Sequence, residues 1–323
     1  MPPTSLYPIQ TAERDRWVLS QRPDRNALDP RRPYAFLVEE ECSATREVVP
    51  VATVFLTNRE CPWRCLMCDL WRNTLTNIGP AGAIPEQIDY ALLQLPPARQ
   101  IKLYNSGSFF DRNAIPVEDY SAIAARVRSF ERTIVENHPA LIGDLCLKFR
   151  DLLPNQLEVA MGLETVHPEI LDRLNKRMTL HQFSAAAAFL RSNAIDLRVF
   201  ILVQPPFMKP EEALYWTQRS LDFAFECGAT AATLIPTRAG NGAMEMLAQQ
   251  GEFAPPRLEV VESAVEYGIG ANKGRVFVDL WDLRSKHDAC PDCHTLRVAR
   301  LHEMNLKQCV VPRIVCDRCE GRS

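Results

Sequence analysis

Six short apolar runs, rich in β-branched and aromatic residues, recur through the middle of this chain: "VATVFLT" (51–57), "QIKLYNS" (100–106), "RTIVEN" (132–137), "LEVAMGLE" (157–164), "LRVFILVQ" (197–204) and "AATLIPT" (231–237). Between them lie stretches such as "PEQIDYALLQL" and "PEEALYWTQRSLDFAFECG", whose apolar residues return at helical spacing, the second opening on proline and closing on glycine. Few folds satisfy such an alternation. Neighbouring strands must run parallel, their crossover helices must be right-handed, and the sheet curls as it grows. Six repeats predict an α/β fold, a partial (β/α)6 TIM-like barrel. Ligand-handling residues in such folds gather just past the carboxyl ends of the strands.

Three regions are expected along the 323 residues: an N-terminal extension (1–50), where Pro, Arg and Asp mix without sustained period, a core (51–270), and a small cysteine-rich module (271–323). In the last, "GRVFVDLWDL" and "CVVPRIV" look strand-like and "TLRVARLHEM" helical. A net charge of −3 advertises no nucleic-acid partner by bulk electrostatics. The apolar runs fall short of the roughly 18 residues a membrane span needs, and no charged leader precedes an apolar stretch. No membrane partner is expected, and a cytoplasmic location is. Eleven cysteines, seven of them in tight clusters, suit metal ligation in a reducing compartment rather than a disulfide framework.

The first cluster, "CPWRCLMC", puts Cys61, Cys65 and Cys68 immediately after the first apolar run. At C-x3-C-x2-C one loop can wrap three corners of an iron-sulfur cube and leave the fourth iron without a cysteine. A zinc knuckle completed by a distant Cys or His is the alternative reading of the same spacing. Other strand ends carry candidate ligand-binding groups. "YNSGSFFD" supplies Asn105, Ser106, Gly107 and Ser108, small residues that permit close backbone approach and equally suit a plain turn. Glu136 ends the third run; Gly162 and Glu164 end the fourth, where the acids either accept from ligand hydroxyls and amines or cap the next helix. Lys176 and Arg177 follow as a basic pair, suited to an anion or to a solvated helix face.

This motif, placed after the first strand of a six-fold β/α pattern, resembles that of the radical S-adenosylmethionine (SAM) superfamily. The resemblance implies that Cys61, Cys65 and Cys68 hold a 4Fe-4S cluster whose open iron is chelated by SAM, which is reductively cleaved to a 5'-deoxyadenosyl radical. It further implies that Met67, standing where many members have an aromatic residue, lines the cofactor with Asn105, Ser106, Gly107, Ser108, Glu136, Gly162 and Glu164. The runs "YNSGSFFD", "GLET", "LNKRMT" and "VFILVQPPF", over about 51–268, are similar to the Elongator-catalytic-subunit-like branch, most of all to the archaeosine-synthase-associated radical SAM proteins. That similarity implies a tRNA nucleoside as substrate, with a small metabolite or peptide as the alternative, and an electron donor such as a flavodoxin or ferredoxin. No residue acting on the substrate is named by it.

Cys290-x2-Cys293 and Cys316-x2-Cys319, separated by 22 residues, form two thiolate knuckles resembling a zinc ribbon. Four thiolates also suit an auxiliary Fe-S cluster, and spacing does not place Cys309. Arg297, Arg300, Arg313, Arg318 and Arg322 nearby are compatible with phosphate contacts or with a solvated surface. A competing class remains, a non-catalytic zinc-stabilised binding protein in which the strand-end acids are caps.

Overall fold

The computed structural model describes residues 5–283 and 290–320. Its eight strands form one sheet in chain order. β1 (Ala35–Cys42) pairs antiparallel with β2 (Val48–Phe55); β3 (Gln100–Tyr104), β4 (Arg132–Glu136), β5 (Gln156–Glu164), β6 (Asp196–Val203), β7 (Ala231–Pro236) and β8 (Arg275–Val278) continue in parallel. α1 (Thr11–Gln21) precedes the sheet. The crossovers from β2 to β7 carry α2 (Ala83–Leu92), α3 (Tyr120–Val127), α4 (Asp144–Arg150), α5 (Pro168–Arg173), α6 (Leu180–Ser192) and α7 (Ala213–Glu226). α8 (Ala243–Gln249) and α9 (Leu258–Gly270) lead to β8, and α10 (His294–Lys307) and α11 (Asp317–Glu320) follow.

All six runs predicted as strands are strands, so the α/β half-barrel expected from the alternation is the fold observed, extended by one strand at each end. β1 escaped notice because "AFLVEEEC" carries three consecutive glutamates, yet Glu41 is buried and ion-paired to Arg198 and Lys102. β8 was expected within the cysteine-rich module; it pairs with β7 instead. α10 likewise sends Val298, Leu301 and Met304 into the main apolar core. "CVVPRIV" forms no strand. Its Val311 and Pro312 carbonyls accept from Arg300 Nε at 2.9 and 2.8 Å, and Pro312 has no N–H to give a ladder.

The strands are two-sided for a simple reason of period. On β5, Leu157, Val159, Met161 and Leu163 enter the apolar core shared with the helices, while Glu158, Ala160 and Gly162 face the interior. Local signals fix the helices outside. α6, for example, begins in a capping box, with Thr179 Oγ1 accepting from Gln182 N–H at 3.2 Å and Gln182 Oε1 accepting from Thr179 N–H at 2.9 Å.

Charge closes the interior at the amino ends of the strands. Glu158, fully buried, accepts from Arg198 at 2.6 Å, Arg132 at 3.1 Å and Arg275 at 3.2 Å. Arg198 also reaches Glu41 at 2.6 Å, and Lys102 meets the same carboxylate at 2.6 Å. Burial pushes the Glu158 carboxyl up, but Arg198, Arg275 and Arg132 outweigh it and hold it at about 2. Because this folded value lies below the unfolded one, the stability it contributes is full above the ordinary 4.5 and is lost as pH falls toward 2.

Glu158→Gln should therefore lower stability by roughly 3–5 kcal/mol in urea unfolding at neutral pH, since it strands buried guanidinium groups. Glu86→Gln, which breaks the half-exposed pair with Arg31, should change stability far less. Equal losses in the two variants would show that the buried network does not carry the barrel floor.

Candidate functional site

The chain leaves β2 at Phe55 and enters an irregular loop that carries Cys61, Cys65 and Cys68, all partly buried and all free thiols. Such a loop has no ladder of its own, so its backbone groups must find partners elsewhere. Asn241 Nδ2 donates to Leu66 O at 2.8 Å and Cys68 O at 3.1 Å, while its Oδ1 accepts from Met244 N–H at 2.8 Å. Asn175 Nδ2 donates to Arg64 O and to Asp15 Oδ1, each at 2.8 Å. Leu66 N–H donates to Leu174 O at 2.9 Å, and Arg64 Nη1 turns back onto Cys61 O at 2.8 Å. The loop is thus held from the ends of α5 and α8.

Glu60 sits at the entry to the motif, paired with Arg22 at 2.8 Å, with Arg64 at 3.1 Å and with Arg25. Arg22 and Arg25 follow α1. α1 itself is anchored nearby, since Arg14 donates to Asp172 O at 2.8 Å and Tyr7 hydroxyl to Arg173 O at 2.8 Å. Gly242 (φ +86) permits this arrangement: any side chain there would strike the Gln21 carbonyl at the end of α1. On the inner side Trp63 stacks on His138 at 3.8 Å between ring centroids, with 11° between planes. Burial and the Lys176 charge pull His138 down to about 3. The ring is therefore neutral, and because Nδ1 accepts from Ala140 N–H at 3.1 Å, Nε2 carries the proton given to Lys176 O at 3.0 Å. Met67 packs between two small apolar clusters that share Phe207.

Burial raises all three thiols, Cys65 to about 12, although the Lys176 ammonium opposes it there. Burial alone favours the thiol form, and a cation at the site favours thiolates. Among the described residues, the four C-terminal cysteines are the group of three or more ligand atoms drawn within 4.8 Å of one another.

The predicted strand-end residues lie around this loop. Glu136 accepts from Asn105 N–H at 2.6 Å and Gly107 N–H at 3.3 Å, and burial outweighs those bonds to bring its carboxyl up to about 7. Ser106 (φ +52) shares a 2.9 Å hydrogen bond with the Tyr34 hydroxyl, and Ser108 Oγ accepts from His138 N–H at 3.0 Å. Gly162 has no side chain because the Glu164–Lys176 ion pair occupies the space a Cβ would need. Lys176 is buried rather than on a solvated helix face, lying in the turn after α5; Arg177 is exposed and pairs with Asp15. Gly107 is different. A Cβ there would sit 3.3 Å from Cys61 Cβ and 3.9 Å from Asn105 Nδ2, so its absence lets the 105–107 turn lie close against the motif. Asn105 is fully buried, and neither end of its carboxamide has a partner among the described residues. Three thiols on one loop with a buried, orphaned amide beside them fit a group whose sulfur accepts hydrogen bonds.

At the other end of the chain, the two knuckles meet. Cys290 and Cys316 sulfurs are 3.9 Å apart, and Cys293 and Cys319 sulfurs 3.6 Å. Each pair closes a turn, through His294 N–H to Cys290 O at 3.1 Å and Cys319 N–H to Cys316 O at 2.9 Å. Amides of Cys293 and Asp292 draw the Cys290 thiol below its ordinary value. This is a four-thiol site able to take a metal. Cys309 lies exposed outside it. The nearby arginines are engaged within the chain: Arg297 and Arg300 with Glu262, Arg300 and Arg313 with Glu266, and Arg318 with Asp292. Arg322 lies outside the described residues.

Sequence reasoning did not reach Glu60, Asn175, Asn241 or the Trp63–His138 stack. The one available signal was "GNGAME", where Asn between glycines before an apolar helix marks a turn at a helix start.

No protein-family profile matches the chain. An uncharacterized protein of Methanocaldococcus jannaschii is 24% identical over 306 residues, covering 88% of this chain and 84% of that protein. Archaeosine synthase subunit beta of Methanosarcina acetivorans is 25% identical over 220 residues, covering 64% of this chain and 63% of its own. Radical SAM enzymes stand among the structural neighbours, as with the methyltransferase TsrM of Kitasatospora setae (TM-score 0.46, 14% identity, 60% of this chain). This chain spans 39% of the length of TsrM. Among the described residues no helix is long and apolar enough to cross a membrane.

Asn241→Ala leaves the Leu66 and Cys68 carbonyls without that donor. Amide hydrogen exchange across 64–69 should quicken by roughly tenfold or more, with the barrel strands unchanged. Unaltered exchange would mean that the loop is held without Asn241.

Proposed function

We propose that this chain is a radical SAM enzyme, with Cys61, Cys65 and Cys68 as ligands of a 4Fe-4S cluster. The observation that carries the reading is the loop past β2, where three thiols braced from the ends of α5 and α8 lie with Cys61 against Gly107 and beside the unpartnered Asn105 carboxamide. Cys61, Cys65 and Cys68 would hold such a cluster, which, once reduced by an external donor, would supply one electron to break a C–S bond of SAM and yield methionine and a 5'-deoxyadenosyl radical able to take a hydrogen atom from the substrate.

The chain's own residues then have distinct tasks. Asn241, Asn175 and Arg64 hold the cysteine loop in place. Glu136 fixes the turn at 105–107 through backbone N–H groups, so that the turn can present its edge to SAM. Lys176, kept charged because Glu164 outweighs its burial, places a cation beside the thiol loop where the SAM carboxylate would lie. Met67 lines the same wall. The apolar packing behind it helps exclude water from the radical. A flavodoxin- or ferredoxin-type protein is the expected electron source.

For the substrate we favour a tRNA nucleoside. The support is the relative named archaeosine synthase subunit beta, archaeosine being a modified nucleoside. At the C-terminal site we favour zinc, since four thiols already converge to single-ion distances.

Anaerobic reconstitution should give a brown protein with about four irons per chain at this loop, and dithionite with SAM should release 5'-deoxyadenosine. Cys61→Ala should lose both. A colourless wild-type protein that binds only zinc would overturn the enzyme reading. Cys290→Ala combined with Cys316→Ala should lower zinc content while leaving the first cluster's absorbance intact; a loss of further iron instead would identify an auxiliary Fe-S cluster.

A further inference from the structure

Asn105 is the polar side chain near the cysteine loop that the proposed function leaves without a task. Its neighbours are spoken for. Glu136 holds the backbone of the turn, Ser106 Oγ is bonded to Tyr34, and Ser108 Oγ accepts from His138 N–H. Asn105 contributes its backbone N–H to Glu136, but its carboxamide, at 0% exposure, has no partner at Nδ2 or Oδ1 among the described residues. A buried amide left in that state costs about 1–3 kcal/mol. The neighbouring side chains each have a protein partner; this one does not.

The location says what is missing. The position a Cβ at Gly107 would take lies 3.3 Å from Cys61 Cβ and 3.9 Å from Asn105 Nδ2, so the glycine lets the turn approach the motif closely. The Asn105 amide donor is thereby brought beside the Cys61 end of the loop. Sulfur of an iron-sulfur group is a hydrogen-bond acceptor, and each such bond stabilises the more negative, reduced state.

We infer that the Asn105 carboxamide donates a hydrogen bond to a sulfur at the Cys61 corner of the cluster and so raises its reduction potential. The inference rests on the reading of the first loop as a cluster site. Asn105 is then a tuning residue, and its role is separate from the SAM contacts expected of the turn's backbone.

The test is an EPR-monitored redox titration of reconstituted wild-type protein and Asn105→Leu, joined to pulsed EPR on protein labelled with 15N-asparagine. With iron bound in both, the variant's midpoint should move to a more negative value, and a 15N coupling present in the wild type should vanish. An unchanged midpoint with iron bound in both overturns the inference and leaves the cluster reading standing. A wild-type protein that takes up no iron overturns both. Where Asn105→Leu itself fails to hold iron, the wild-type spectrum decides, because absence of a 15N-asparagine coupling overturns the inference and its presence supports it.

Discussion

A single carboxylate ties the half-barrel together. Glu158 on β5 accepts from arginines on β4, β6 and β8, and through Arg198 the network reaches Glu41 on β1 and then Lys102 on β3. Taking such groups out of water costs several kcal/mol each, so the arrangement persists only where every charge finds its partners in one geometry. That demand acts on strand register. A one-residue slip would carry Glu158 or Arg198 from the interior to the apolar face under the helices, where no counter-charge waits. The same network fills the amino-terminal end of the interior, so a ligand has room only at the carboxyl ends.

The carboxyl ends are organised by the opposite principle. There the chain carries an irregular loop whose carbonyls are met from distant segments by Asn241 and Asn175, while the arginines after α1 pair with the Glu60 carboxylate at its entry. The N-terminal stretch is therefore not an appendage to the site. Arg22 pairs with Glu60, Asp15 orients Asn175, and the close approach of Gln21 to Gly242 locks α1 against the start of α8, which also bears on Leu66. Rigid support of this kind lets a loop keep three thiols in place without secondary structure of its own.

How much of this was legible in the sequence follows from the range of the interactions. The six central strands could be read because each is a local apolar run, and the cysteine motifs because ligand spacing is local as well. β1 could not, since its glutamates are apolar-pattern breakers whose burial is made tolerable only by Arg198 and Lys102, partners far along the chain. Asn241 braces a carbonyl 175 residues away, and no local pattern encodes that. Lys176 looked like part of a solvated face because its partner Glu164 lies across a turn whose geometry depends on Gly162 having no side chain. The C-terminal arginines read as phosphate contacts for the same reason: the acids of α9 that hold them are out of sequence view.

The two thiol sets are held in different ways that their spacing in sequence does not display. C-x2-C turns bring the C-terminal sulfurs within 4.8 Å, the geometry of ligands around one ion, and each turn is closed by its own backbone hydrogen bond. The first loop spends its polar contacts differently. Its carbonyls are held by side chains from the ends of α5 and α8. Beside it are a glycine that lets the 105–107 turn come close and an amide without a partner among the described residues. A chain in which that amide served packing alone would gain from an apolar side chain in its place, since an unpartnered buried polar group weakens the fold.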